Sequence, residues 1–249
     1  MIILKSLQEI EKIRKACLIV SDVLDYIREH VKPGISTQAL DEIAERKILA
    51  AGAKPAFKGY RGYPKTLCTS VNSEVIHGIP AKDVVLNTGD IVSIDVGAIV
   101  EGFYGDAAVT LPVGAVSKEA ERLISVTEES LYRGIDQARI GKRLHDISYA
   151  VQSYVEAYGY SIVREYVGHG IGRNLHEDPQ IPNFGSQGQG PRLKSGMVLA
   201  VEPMVNAGAS ATMVKEDGWT AITSDGSLSA HFEHTIAILP DGPWILTKK

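Results

Sequence analysis

Apolar residues recur at spacings of three and four from near the start of the chain. Leu7, Ile10, Ile13, Cys17, Val20, Leu24, Ile27 and Val31 fall on one stripe of an α-helix. Ser6 followed by Glu9 makes a capping-box signature ahead of that stripe, and Lys32-Pro33-Gly34 stops it. A second helix fits Thr37 to Ala51 and closes at Gly52. The helical period returns after Ser117, through Leu123, Ile124 and Leu131, and a further helix ends near Gly159. Five other segments are rich in Val, Ile, Thr and aromatic residues and predict strands: Thr69 to Ile79, Ile91 to Val100, Phe103 to Leu111, Met197 to Val205 and His231 to Leu239. Helices followed by several strands, twice over, argue for an α+β fold of two related halves.

The two helix pairs stand in register. An offset of 107 positions lays Gly34 on Gly141, Gly52 on Gly159, Leu24 on Leu131 and Leu86 on Leu193. It also pairs Gly89 with Gly196, so that Asp95 falls on Glu202. Three glycines and two acids at one offset favour an internal duplication, spanning about residues 7–110 and 117–240. No linker or low-complexity segment interrupts the chain, so a single domain over residues 1–249 is expected. A site at the interface of the halves would take one acid from each.

Composition narrows the class. The 249 residues suffice for a substantial core, and 44% hydrophobic with 22% charged residues is ordinary for a soluble globular protein. A formal net charge of -4 gives no reason to expect a nucleic-acid or anionic-membrane partner. Cys17 and Cys68 are far apart and in no Cys-x-x-Cys pattern, which fits a reducing compartment and argues against a thiolate zinc site. The first residues have too short an apolar run for a signal peptide, and no stretch reaches membrane-spanning length. A cytoplasmic enzyme is the expectation.

Acids placed inside apolar strands carry the chemistry. Asp95 lies within Ile91 to Val100, Asp106 within Phe103 to Leu111, Glu202 between Val201 and Pro203, and Glu233 between Phe232 and His234. An ionised carboxylate in such surroundings costs several kcal/mol unless a cation or hydrogen-bond donors compensate it. No lysine or arginine lies in these segments. One such acid is more often satisfied by a local donor than by a metal. Four of them, with His169 in a Gly-His-Gly run, are harder to explain that way. Their donor atoms exceed what one ion needs, whereas two ions sharing carboxylates would use them. Mostly oxygen ligation with one imidazole suits Mn, Fe, Co or Zn, and paired ions roughly 3.5–4 Å apart are an arrangement used for hydrolysis. Other patterns fail: His176-Glu177 begins a zincin motif, but Gln180 stands where the second histidine belongs.

These residues resemble the type I methionine aminopeptidases. The likeness rests on an Asp, ten intervening residues and a second Asp, then His in Gly168-His-Gly-Ile-Gly172, Glu in Val201-Glu-Pro-Met204 and Glu in Phe232-Glu-His-Thr235. It extends from about Leu7 to the C-terminus and includes the Gly59–Ser70 and Val75–Pro80 segments. The resemblance implies a pita-bread fold around a curved antiparallel sheet and two divalent ions (Co, Mn, Fe or Zn). Asp106 and Glu233 would bridge the ions, Asp95 would chelate one, and His169 with Glu202 would complete the other. Glu202 would also be the proton acceptor, His176 the oxyanion stabiliser, and His77 the residue touching the scissile amide. Tyr60, Tyr63, Cys68, His77, His176 and Trp219 match substrate-pocket positions, and Asn72 with Ser229 match a monovalent-cation site. Phe57, Leu175 and His231 depart from the commonest pattern, where Cys, Phe and Gln stand. The implied substrate is the N-terminal methionine of nascent chains with a small second residue, met in the cytoplasm by a monomer with a transient ribosome contact. Two alternatives stand beside this. One is a proline-specific relative, disfavoured by the lack of room before Leu7 for an extra domain. The other is a non-catalytic binding homologue, disfavoured by the full ligand set. Neither the helical insertion of type II enzymes nor the N-terminal zinc-binding extension of eukaryotic type I enzymes is expected.

Overall fold

The computed structural model describes residues 1–249 and contains four long helices and one dominant antiparallel sheet. Helix α1 runs Leu7–His30, α2 Thr37–Ala50, α3 Lys118–Asp136 and α4 Leu144–Ala157. The capping box at the head of α1 forms as its sequence predicts: the Ser6 hydroxyl accepts from Glu9 N–H, and the Glu9 carboxylate accepts from Ser6 N–H. The apolar stripe of α1 from Ile10 to Ile27 is buried against the Ile91–Val100 and Phe103–Pro112 strands, whereas Leu7, expected on the same stripe, is exposed in the first turn. Contact there is close enough to exclude any side chain at Gly105, where a Cβ would lie 2.5 Å from the Cys17 backbone nitrogen. Gly105 therefore faces α1, and by strand alternation Asp106 faces the opposite side.

The main sheet has nine strands. Its central path crosses Lys54–Pro55, Ile91–Val100, Phe103–Pro112, Glu233–Leu239, Val198–Val201, Gly168–Gly170 and Glu177–Ile181. Leu67–Val71 and Gly242–Ile245 pair beside this path.

The 107-residue offset reappears in the backbone. It carries α2 onto α4 residue for residue. The Ser36–Val85 bridge maps onto Arg143–Arg192, and the Lys54–Ile99 pair onto Ser161–Asn206. Leu86 N–H donates to Ile35 O just as Leu193 N–H donates to Lys142 O. The glycine pairs share left-handed backbone: φ is 90° and 93° at Gly34 and Gly141, and 74° and 81° at Gly52 and Gly159. Gly is used there because an L side chain would strain that conformation.

Three predicted strands are shorter than their sequence patterns suggest. Thr69 to Ile79 divides into Leu67–Val71 and Glu74–Ile76, because the chain turns at Asn72 with a φ of 55°. Met197 to Val205 divides at Glu202-Pro203, where proline supplies no N–H to a ladder. His231 to Leu239 divides at Phe232: Ser229–His231 pairs with Met204–Asn206 in a separate small sheet, and Glu233–Leu239 joins the main one. Two of the breaks fall beside the expected ligands Glu202 and Glu233.

Candidate metal centre

Strand register assembles the acids. Cys68 stands opposite Asp95, Asp95 opposite Ala108, and Glu233 opposite Ala108 from the other side. One row across four strands therefore carries Cys68, Asp95, Ala108 and Glu233. Asp106, two residues before Ala108, shares its face. The small Ala108 side chain leaves room between the flanking carboxylates. His169 is held on the Gly168–Gly170 strand opposite Ala200, and Glu202 lies just past the end of the Val198–Val201 strand.

All five predicted metal ligands line one pocket. One oxygen each from Asp106 and Glu233 and one nitrogen from His169 lie within 4.8 Å of one another. Burial raises the Glu202 carboxyl to about 8. Burial, with the Glu202 charge adding to it, raises Asp95 to about 7. Asp106 and Glu233 are pushed well above the carboxylate range by burial and by the other acids. Four buried acids that oppose one another's ionisation call for a compensating cation.

Two further observations test that fit. Asp95 Oδ1, Asp106 Oδ1 and Glu233 Oε1 are buried without any hydrogen-bond partner. The His169 Nδ1 lies 3.0 Å from the Gly170 carbonyl, which fixes the proton on Nδ1. The unprotonated Nε2 then faces Glu202 Oε1 at 3.4 Å, so both point their donor atoms at the same place. Burial, with the neighbouring His176, lowers His169 to about 3 and keeps it neutral. A divalent ion would accept both donors, and the Nδ1–H to carbonyl bond is the usual way a ligating imidazole is oriented. The donor set fits a metal.

The pocket wall is aromatic and apolar. Tyr60, Tyr63, Cys68, His77, His176 and Trp219, all predicted at the substrate pocket, line it. Tyr63 is locked by its hydroxyl donating to Leu67 O at 2.9 Å and Gly78 O at 3.0 Å, and its ring meets Trp219 edge-on. The Cys68 thiol is held neutral by burial and the Asp95 charge. His176 Nδ1 lies 2.8 Å from the Tyr60 hydroxyl, and its ring sits 4.3 Å from that of His169. His77 is kept neutral, at about 4, chiefly by burial, and adopts a φ of 60°.

Phe57 and Leu175 also line the pocket, so two of the three departures shape its wall. The third, His231, is buried behind Glu202, with its Nε2 3.6 Å from Glu202 Oε2. Arg61 lines the pocket too and escaped the sequence reading. Its position depends on a left-handed backbone (φ 50°) in a short 3-10 turn, which no periodicity reveals. Asn72 and Ser229 are joined by Ser229 N–H donating to Asn72 O at 2.9 Å. Their side chains are engaged elsewhere: the Asn72 amide with Asp90 and Ile91, and the Ser229 hydroxyl with Asn206 and Val205.

A curled antiparallel sheet that gathers four carboxylates and an imidazole into a buried pocket defines a metal-dependent hydrolase class. The chain belongs to metallopeptidase family M24, which it matches over residues 11–240. It is 56% identical over 247 residues to a methionine aminopeptidase of Clostridium perfringens, covering 99% of each chain. It is 54% identical over 248 residues to methionine aminopeptidase 1 of Bacillus subtilis, covering 100% of each. The crystal structure of a methionine aminopeptidase from Thermotoga maritima superimposes with a TM-score of 0.99 at 49% identity, with both chains fully covered. The prolidase of Pyrococcus furiosus aligns with a TM-score of 0.79 at 26% identity, covering 99% of this chain but 66% of its own. The architecture is accordingly the pita-bread fold expected from the sequence. No helix is long and apolar enough to cross a membrane.

Proposed function

We propose that this chain removes the N-terminal methionine from peptides and nascent proteins whose second residue is small. The observation that carries the reading is the convergence of four buried acids and His169 beneath an aromatic, thiol-containing wall. In this reading Asp95, Asp106, His169, Glu202 and Glu233 would together hold two divalent ions. Co, Mn, Fe or Zn would suit these donors. When bound, such ions supply Lewis-acid polarisation of a carbonyl and a water nucleophile usable at neutral pH.

The chain's own groups do the rest. Glu202, backed by His231, accepts the proton of the attacking water and returns it to the leaving amine. His176, tethered by Tyr60 through one ring nitrogen, offers the other to the developing oxyanion. His77, neutral and on a constrained backbone, contacts the scissile amide. The methionine side chain lies among Tyr60, Tyr63, Cys68 and Trp219, where sulfur–aromatic contacts contribute about 0.3–1.5 kcal/mol each. Phe57 and Leu175 set the shape of that wall. The setting of the reaction is the cytoplasm, with the enzyme a monomer working on emerging chains through a transient ribosome contact.

The proline-specific alternative finds less support. Full-length relatives above half identity bear the methionine aminopeptidase name, whereas the prolidase match leaves a third of that chain uncovered. Assaying Met-X peptides across X with a panel of divalent metals tests the reading. Small X should be cleaved best, and release of non-methionine residues from X-Pro peptides instead would sink it. Glu202→Gln should lower kcat by roughly 10²–10⁴-fold with an unchanged circular dichroism spectrum. Retained turnover in that variant would remove the role given to Glu202.

A further inference from the structure

Glu177 has no part in the chemistry above, although it follows His176 directly. Its carboxylate is instead the hub of a buried tie. Glu177 Oε1 accepts from Arg173 N–H at 2.9 Å and Asn174 N–H at 3.1 Å, closing the loop between the Gly168–Gly170 and Glu177–Ile181 strands. Glu177 Oε2 accepts from Lys5 Nζ at 2.5 Å, and each of the two side chains is only 5% exposed. Surface pairs such as Lys15–Glu101, with side chains 58% and 46% exposed, contribute little. A pair withdrawn from water is different, because loss of either partner strands the other charge.

The slot around this pair is made for it. A Cβ at Gly172 would lie 2.6 Å from Lys5 Cε and 2.9 Å from Glu177 Oε1, and one at Gly196 would lie 2.8 Å from Lys5 O. Lys5 N–H donates to Gly196 O at 2.7 Å, and Tyr104 N–H to Gly172 O at 2.8 Å. The N-terminal strap, the loop and the Phe103–Pro112 strand that carries Asp106 are thereby locked together. His176 and Leu175 sit on the clamped loop and line the pocket.

We propose that Lys5 is a positioning residue: through Glu177 it holds the Gly172–His176 loop, and with it His176, against the acid-lined pocket. The proposal rests on the reading that His176 acts on the oxyanion. A donor displaced by about 1 Å can cost up to 10²-fold in rate, while Tyr63, Cys68 and Trp219, which make up most of the substrate's side-chain pocket, lie outside the loop.

The test compares Lys5→Met, Glu177→Gln, His176→Ala and the double variant Lys5→Met/His176→Ala, all metal-loaded, on a Met-Ala peptide. Lys5→Met should lower kcat about tenfold or more, with KM within about threefold of the parent. Metal content per chain should not change. In the His176→Ala background the same substitution should remove less than about twofold further, because the residue it positions is gone. Without substrate, amide hydrogen exchange should quicken at residues 171–177 and stay unchanged in the Ile91–Val100 strand. Glu177→Gln keeps the side-chain shape and should move every readout in the same direction, so it carries the test if Lys5→Met does not fold. Parental kcat and exchange in Glu177→Gln would overturn the proposal. So would a full, additive loss in the His176→Ala background, which marks a merely structural tie. An unsubstituted chain that releases no methionine refutes the functional reading instead, and the exchange comparison still decides whether Lys5 holds the loop.

Discussion

At the scale of single residues, Asp106 depends on a neighbour that carries no charge. The Glu233–Leu239 strand pairs with the Phe103–Pro112 strand only through Glu233–Ala108 and His234–Ala107. At the next position the Thr235 side chain takes over from the ladder. Its buried hydroxyl donates to Asp106 O at 2.7 Å and accepts from Asp106 N–H at 3.3 Å. Thr235→Val keeps the volume and orphans both backbone groups. It should cost about 1–3 kcal/mol in urea unfolding of the chelated protein. Weakening the grip on the Asp106 backbone should also lower divalent-metal affinity by about tenfold or more, read by competition against a chromogenic chelator. Unchanged affinity would mean that the Asp106 carboxylate is placed by its own strand alone.

At the scale of elements, the two halves cap equivalent helices differently. Ser36 caps α2 with its hydroxyl, which accepts from Ala39 N–H at 3.2 Å. The matching position before α4 is Arg143, which supplies no capping oxygen. Asp146 compensates by accepting from Arg143 N–H at 2.7 Å and from Gly188 N–H at 2.8 Å, so one carboxylate holds both the helix start and the loop that crosses it. The Arg143 N–H, above all, holds the Asp146 carboxyl below its ordinary value, with Gly188 assisting against the effect of burial. An acid whose folded pKa is depressed contributes stability that is complete above its unfolded value, about 3.9. That stability is lost as pH falls through the lower folded value. Asp146→Asn should therefore cost about 1 kcal/mol at neutral pH and flatten the acid limb of the stability profile, measured by denaturant unfolding from pH 7 to pH 3. An acid limb as steep as the parent's would show that other carboxylates control it.

The elements also show what could be read in advance. Helix α1 was legible because cap, stripe and stop agree locally, and the duplicated glycines because left-handed helix ends demand them. Asp95, Asp106, Glu202 and Glu233 stood out because charge is costly inside apolar runs. Pro203 marks the break after Glu202 in the sequence itself, whereas the breaks at Asn72 and Phe232 were not legible, since each depends on which sheet the next segment joins. Arg61 was missed for a similar reason, and so was the Lys5–Glu177 tie, whose partners lie 172 positions apart. Long-range pairing leaves no periodic trace.

At the scale of the whole molecule, the acid cluster is the place where the halves meet. Asp95 and Asp106 come from strands that follow α1 and α2, whereas His169, Glu202 and Glu233 come from segments that follow α3 and α4. The Glu233–Leu239 strand joins them by pairing with Phe103–Pro112 on one side and Val198–Val201 on the other. Mutually repelling carboxylates at that junction oppose closure, so a cation bound there acts on both halves at once. Divalent metal should stabilise the chain by about 2.7 kcal/mol for each ion bound at a hundredfold excess over its Kd. The gain should appear as slowed amide exchange in Ile91–Val100, Phe103–Pro112, Val198–Val201 and Glu233–Leu239 together. Protection confined to the Asp95 and Asp106 strands would show that the halves take up metal independently. The inter-half strand pairing would then stand without help from the centre, and the stability of the junction would have to come from the packing of α1 and α3 on the sheet.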